Sequence, residues 1–507
     1  MTDGNDANVN SARPVRTRFA PSPTGPLHIG SARTALFTWL LARHHGGQFV
    51  LRVEDTDQAR FVEGSLERVM DGLRWLGIEW DEGPDKSGPY GPYVQSERLE
   101  TYQKWANWLV ENGKAYRCYT SAEELAALNE ERKAKGLSPG YDRRHRDLTP
   151  DQEAAFRAEG RRPVIRFKAP LDGKTIVHDL IRGEVEFDNT LLQDIVLLKS
   201  DGFPTYHLAH VIDDHLMEIS HVTRSIEWFP SLPIHIHLWH AFGWPIPEYA
   251  HLPVLLNPNG QGKLSKRHAG FTQDGKQVLV LVSEFQEAGY LPEAVVNFLT
   301  NIGWNFGDER EVFDVSEAIE RFNVRKVNPA NSIYPVEKLD WLNGIYIREK
   351  LSDEELAERL REPLERAGLR VDMDRLRQIT PLVRVRIKTL NDVADMAGFF
   401  FHEEFRPPTA EMLIQKKMDA ATTRHTLARA SEVLAEVDDF TVETLHNVSL
   451  ELVQELGLKN GQVFGAMRAA ITGQMVSTPT FETMEVLGKQ ETLRRLRIGV
   501  EILAESP

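Results

Sequence analysis

Two stretches carry residue types able to do chemistry on a phosphate. The first is "PSPTGPLHIGS", residues 21–31, where His28 closes a turn containing three prolines and two glycines. The second is "GKLSKRH", residues 262–268, where Lys263 and Lys266 flank Leu264 and Ser265. Prolines fix φ and stiffen the turn. The glycines allow backbone approaches that a side chain would block. A helix starting there offers unpaired N–H groups and a partial positive charge, both suited to an anion. His28 adds a hydrogen-bond donor at the same place, and the lysines a mobile positive charge. The pair suits charge building on an α-phosphate as pyrophosphate is displaced. Each stretch alone is weak, since a buried turn histidine and a basic surface loop are both common. Neither GxGxxG nor GxxxxGK[ST] occurs, so dinucleotide and P-loop phosphate binding are not indicated.

The elements around these stretches follow an α/β order. Val15–Ala20 alternates and reads as a strand. A helix is expected over Ser31–His45, stopped by Gly46-Gly47, with Ser31 a good N-cap. "QFVLRVEDTD" (48–57) reads as a second strand, and a helix is expected over Val62–Leu76. Strand, helix, strand, helix implies a parallel, doubly wound sheet, with ligands at the carboxyl ends of its strands. Residues 98–199 interrupt this pattern with two helices and strands such as "PVIRFKAP" (163–170) and "GEVEFD" (183–188). The α/β pattern resumes over 194–228. Beyond Asn343 the chain reads as almost wholly helical, with a capping box from Ser352 to Glu355. A split α/β domain, an insertion, a junction and a helical region account for the length.

Composition sets the class. The 507 residues exceed a single core, and 41% hydrophobic with 27% charged residues is ordinary for a soluble protein. No apolar run reaches the roughly 18 residues of a membrane helix. The start, "MTDGNDANVNSARP", reads as a short disordered tail and not a signal peptide. The single cysteine, Cys118, fits a reducing cytosol and excludes both an internal disulfide and a cysteine zinc site. A net charge of -15 argues against a general nucleic-acid coater. Local basic clusters at 141–148, 321–326 and 384–390 leave room for a specific one.

Taken together, "PSPTGPLHIGS" and "KLSKR" resemble the two signature motifs of class I aminoacyl-tRNA synthetases, specifically the bacterial glutamyl enzymes. "RVEDTD" (52–57), "WLGIEWDEGP" (75–84), "QSERL" (95–99), "DIVLLKSDGFPTYHLAHVIDDHLM" (194–217) and "KLDWLNGIYI" (338–347) agree with that family. The resemblance implies a split Rossmann-like catalytic domain (14–97 and 200–261) after a tail (1–13). It also implies an inserted α+β acceptor-stem-binding domain (98–199), a stem-contact junction with the KLSKR loop (262–349) and an all-α anticodon-binding region (350–507). It implies that His28, Lys263 and Lys266 are catalytic. ATP is then held at Pro21, Gly30, Ser31, Leu264, Ser265, Lys266 and Arg267. Glutamate is held at Arg18, Ala20, Ser22, Glu54, Tyr206, His210 and Arg224, with Trp228 lining the adenylate pocket. Glu54 would receive the substrate ammonium and Arg224 the side-chain carboxylate; glutamine would leave that charge unpaired. His210 departs from the asparagine often found there. Ser31 departs from a second histidine.

The implied activity attaches L-glutamate to tRNA(Glu) with ATP and its Mg2+, first as glutamyl-adenylate and then on the 2′-hydroxyl of the terminal adenosine. Arg386 is implied to select the anticodon base. No structural zinc, a monomer and a cytoplasmic location are expected. The helical end argues against a glutaminyl enzyme, whose corresponding region is β-barrel. A non-enzymatic tRNA-binding paralogue and an enzyme also charging tRNA(Gln) are the alternatives; the retained His28 and KLSKR lysines argue against the first.

Overall fold

The computed structural model describes residues 14–265, 270–271, 275 and 277–505. The chain forms two compact units. One comprises the residues up to Glu284 with Val295–Val336, the other Phe285–Ala294 with Glu337 onward.

In the first unit, β1 (Arg16–Phe19) is followed by α1 (Ile29–His44) and β2 (Gln48–Leu51). β1 and β2 are parallel, Arg16 opposite Gln48 and Phe19 opposite Leu51. α1 is buried on most of its surface, with Ala32, Leu36, Leu40 and Leu41 inside. It ends at Gly46, whose left-handed φ of 61° suits glycine. α2 (Ser65–Trp75) comes next, then α3 (Leu99–Glu111), β3 (Ala115–Cys118), α4 (Ala122–Ala134), α5 (Pro150–Ala158) and β4 (Val164–Phe167). A hairpin of β5 (Lys174–Asp179) and β6 (Gly183–Asp188) leads to β7 (Val196–Leu198), α6 (Tyr206–Leu216), β8 (His221–Ser225), α7 (Leu232–Phe242) and β9 (Glu248–Leu252).

β8 and β9 are parallel, and β5 joins β9 in parallel where Asp179 faces Tyr249. The order is β6-β5-β9-β8. β1 then lies beside β8: the Ser220 N–H donates to the Arg16 carbonyl at 2.9 Å. β3, β4 and β7 form a separate antiparallel sheet. Residues 98–199 are therefore used in two ways. Part builds the small sheet, and the β5–β6 hairpin extends the edge of the main one. α3 also shares a core with α6 and α7, through Tyr102, Leu109, Val211 and Trp239.

Three of the element ends that differ from the sequence expectation lie around the candidate site. α1 starts at Ile29 because His28, not Ser31, is its N-cap. β2 stops at Leu51 because its partner β1 ends at Phe19, and the chain then turns to other partners, the Val53 N–H donating to the Tyr93 carbonyl at 2.8 Å. α2 starts at Ser65, after a left-handed Gly64, where the Ser65 hydroxyl is held by Gly25.

The second unit is helical. Its helices include Asp353–Arg366, Met373–Arg384, Ala420–Ala435, Val442–Leu456, Asn460–Thr472 and Lys489–Ala504. Ser352 and Glu355 form the expected capping box: the Glu355 N–H donates to Ser352 Oγ at 3.2 Å, and the Ser352 N–H to Glu355 Oε2 at 2.8 Å. Among the described residues no helix is long and apolar enough to cross a membrane.

Candidate active site

The carboxyl ends of β1, β2 and β8 open onto two adjoining cavities of about 510 and 490 Å³. Ser31, Thr34, Ser225 and Trp228 line both.

The second cavity holds the mouth of α1. His28 Nδ1 accepts the Gly30 N–H at 3.1 Å. In the neutral ring the proton must then sit on Nε2, which is buried and finds no partner among the described residues. Burial first, then the nearby Lys263, lowers the His28 pKa, so the ring stays a neutral donor. Gly30 leaves room for this cap: a Cβ there would sit 3.3 Å from His28 Nδ1, a tight contact. The Ile29 N–H donates to the Val280 carbonyl at 2.8 Å and fixes the turn. Lys263, Leu264 and Ser265 reach the same cavity, with Lys263 Nζ paired to Glu227 at 2.5 Å. The expected Lys266 and Arg267 lie outside the described residues.

The first cavity is lined by Arg18, Ala20, Ser22, Glu54, Tyr206, Arg224 and Trp228, so six of the seven expected glutamate positions face it. His210 does not. It is buried behind Tyr206, stacked on that ring at 4.7 Å, its Nδ1 3.0 Å from the Tyr206 carbonyl. Pro21 acts through its backbone: its carbonyl accepts the Glu54 N–H at 3.0 Å and ties the turn to the end of β2. Trp228 lies against Tyr206 with ring centroids 3.9 Å apart. In the helical unit Arg386 is exposed, just beyond the end of Met373–Arg384.

Two charged networks set the electrostatics. In one, Asp214 Oδ1 accepts from Arg18 Nε at 2.9 Å and from Arg52 Nη1 at 2.7 Å. Arg52 Nη2 also donates to Glu54 at 3.1 Å. Burial alone would raise the Asp214 carboxyl, but Arg18 and Arg52 outweigh it and hold it well below the usual range. Burial raises Glu54, against the pull of Arg52 and Arg18. Asp213 fixes the neighbouring wall, accepting from Arg98, Gln95 and Tyr102, each at 2.8 Å.

In the other network, Arg224 has no direct carboxylate contact among the described residues. Its Nε donates to His251 Nε2 at 2.9 Å and its Nη1 to the Tyr206 hydroxyl at 3.0 Å; its Nη2 is 3.1 Å from His235 Nδ1. Behind these, His251 Nδ1 is 2.7 Å from Asp179 Oδ2, and His235 Nε2 is 2.8 Å from His207 Nδ1. Burial lowers His207 and His251 to about 4 and His235 well below its ordinary value, so the rings are neutral. Asp179, His207, His235 and His251 are absent from the sequence expectation. "SLPIHIHLWH" (231–240) is a visible cluster of histidines, but its link to Arg224 spans separate elements.

Comparison with known proteins follows the same geometry. Residues 14–341 match the family described as tRNA synthetases class I (E and Q), catalytic domain. The chain belongs to this family. Residues 355–500 match an anticodon binding domain. A glutamate–tRNA ligase of Dehalococcoides mccartyi (strain CBDB1) is 47% identical over 498 residues, 97% of this chain and 98% of that one. One from Roseiflexus sp. (strain RS-1) is 49% identical over 494 residues, 95% and 96% of the two chains. A crystal structure of a glutamate tRNA ligase from Elizabethkingia meningosepticum in complex with its amino acid superposes with a TM-score of 0.86 at 34% identity, covering 97% of this chain and all of that one. The Rossmann-like sheet and the mostly helical second unit are those of a class I synthetase with its anticodon-binding domain.

Proposed function

We infer that the chain is a glutamate–tRNA ligase, activating L-glutamate with ATP and transferring it to tRNA(Glu). The observation that carries this is the pair of adjoining cavities. One presents a cationic Arg224 and an anionic Glu54, the other a neutral histidine donor at a helix N-terminus. An amino acid bearing a side-chain carboxylate fits the first, and a nucleoside triphosphate the second.

The chemistry needs positioning and charge stabilisation, since both nucleophiles belong to substrates. Glutamate's α-carboxylate attacks the α-phosphate of ATP, which arrives with Mg2+, and pyrophosphate leaves. The 2′-hydroxyl of the terminal adenosine then attacks the mixed anhydride, and AMP leaves. His28 Nε2–H and the KLSKR lysines, Lys263 and Lys266, stabilise the phosphate charge in the first step. Glu54 takes the substrate ammonium, Arg224 the side-chain carboxylate, and Ala20 and Ser22 border the same space. Ser31, Gly30, Leu264 and Ser265 border the nucleotide, and Arg267 follows them in the sequence.

The helical unit takes the anticodon, with Arg386 reading its last base. A guanidinium only donates, and cytosine's edge offers acceptors where guanine's offers donors. Arg386→Gln should therefore narrow the preference for tRNA(Glu) over tRNA(Gln), a contact of about 1–3 kcal/mol. A monomer working in the cytoplasm without structural zinc completes the reading. The deciding experiment is glutamate-dependent ATP–pyrophosphate exchange, with and without tRNA(Glu), in wild type and Lys266→Ala. Exchange in wild type and a loss of about 10²–10³ in the variant are expected. No exchange under either condition would replace the enzyme with a tRNA-binding paralogue.

A further inference from the structure

The Arg224 site extends beyond the residues that line the cavity. Three of its N–H groups are spent on Tyr206, His235 and His251. Because a guanidinium has no acceptor, both imidazole nitrogens facing it must be lone pairs. That fixes both tautomers. The remaining proton of His251 sits on Nδ1 and points at Asp179 Oδ2, 2.7 Å away. The remaining proton of His235 sits on Nε2 and points at His207 Nδ1.

Asp179 is itself immobilised. Its Oδ1 accepts the Ile181 and Arg182 N–H groups, each at 3.0 Å, and its Oδ2 also accepts the His251 N–H at 3.0 Å. Both Asp179 and His251 are buried. Asp179 ends β5, in the segment that returns from the small sheet to the main one.

We propose that Asp179 and His251 are positioning residues for Arg224, and that the neutral imidazoles around it determine specificity for a carboxylate side chain. This rests on the reading of Arg224 as the partner of the substrate's side-chain carboxylate. A direct aspartate contact would orient the guanidinium equally well but would neutralise it, and the substrate's carboxylate would then have to compete. Interposing His251 transmits the orientation while moving the negative charge one ring further away. Arg224 thus keeps an unneutralised charge and two unspent N–H groups for the ligand. Glutamine, offering no charge, would leave that guanidinium buried without a counter-ion.

The test uses the full chain with tRNA(Glu), measuring KM for glutamate and for ATP in pyrophosphate exchange. Arg224→Ala comes first, and a large rise in glutamate KM is expected. If it leaves glutamate KM unchanged, the assignment of Arg224 itself fails. His251→Phe keeps a ring but removes the acceptor. A rise of about tenfold or more in glutamate KM is expected, with ATP KM within about twofold and partial rescue by His251→Gln, whose amide oxygen can accept from Arg224. In the double variant Arg224→Ala/His251→Phe the second change should add nothing, because its effect passes through Arg224. A folded His251→Phe with unchanged glutamate KM, or losses that multiply in the double variant, would overturn the proposal while leaving Arg224 in place. If His251→Phe does not fold, Asp179→Asn is subject to the same KM split and the same cycle.

Discussion

Arg18 and Arg224 enter one cavity from β1 and β8 and are held in opposite ways. Arg18 is tied to a buried carboxylate, Asp214, that it shares with Arg52. Arg224 is tied to a phenol and two neutral imidazoles. The first arrangement balances charge inside the protein. The second leaves the guanidinium without a counter-ion among the described residues. The same residue type thus faces one cavity with its charge matched on one strand and unmatched on the other, and its partners decide which.

The largest effect should come from the balanced side. Asp214→Asn leaves buried Arg18 without its carboxylate partner and Arg52 with only Glu54 and Asp213, and urea unfolding should show a loss of about 3–5 kcal/mol. On the unmatched side, Arg224→Lys should cut kcat/KM for glutamate by about tenfold to a hundredfold, because one ammonium cannot reproduce the fork. Its stability loss should be smaller than that of Asp214→Asn; an equal loss would erase the distinction.

Acid separates the two sides. His207 and His251 titrate at about 4 in the folded protein against an ordinary 6.5. Below pH 6.5 the unfolded chain takes up protons that the folded one refuses, so stability falls from 6.5 toward 4 and then levels. Asp214, depressed below 3.8 by Arg18 and Arg52, keeps its contribution above 3.8 and loses it only further down. A protonated His251 would turn a donor toward Arg224, so glutamate KM should stay flat through most of that window and rise only as pH approaches about 4, where stability has already fallen. Parallel urea titrations and glutamate KM measurements at stepped pH check this order. The smallest effect belongs to Tyr206→Phe, which removes one of three acceptors from Arg224; about 1 kcal/mol, read as a several-fold rise in glutamate KM, is expected.

Much of this was legible in the sequence where the signal is local. The turn before α1, the glycine stop after it, the Ser352 capping box and the helical second unit are all set by neighbours within a few residues. His28 was legible as a residue but not as a cap, because histidine caps only when its Nδ1 lone pair faces back, which composition does not reveal. The strand read through 48–57 ends at Leu51, because the acidic residues taken as its end lie beyond the last β1 pairing, with Glu54, Thr56 and Asp57 lining the cavity. Asp179 and His251 were not legible at all. They are 72 residues apart, and nothing local to either marks the other. Asp179 also falls in a segment read as an insertion, whose hairpin in fact borders the main sheet.

The tie between Ser220 and Arg16 has a consequence for how the molecule is made. The ends of that hydrogen bond lie 204 residues apart, and buried Arg33 on α1 donates to the Ile302 carbonyl, 269 residues on. A chain emerging from its own N-terminus therefore cannot complete the β1 edge until Ser220 exists, nor anchor α1 until Ile302 does, more than half of the 507 residues. Until then β1 presents an unpaired strand edge, the kind that invites mispairing. Arg16 finds Glu82 early, but Arg18, awaiting Asp214, keeps that edge charged, and charge on an unpaired strand is what discourages a wrong neighbour from adding to it.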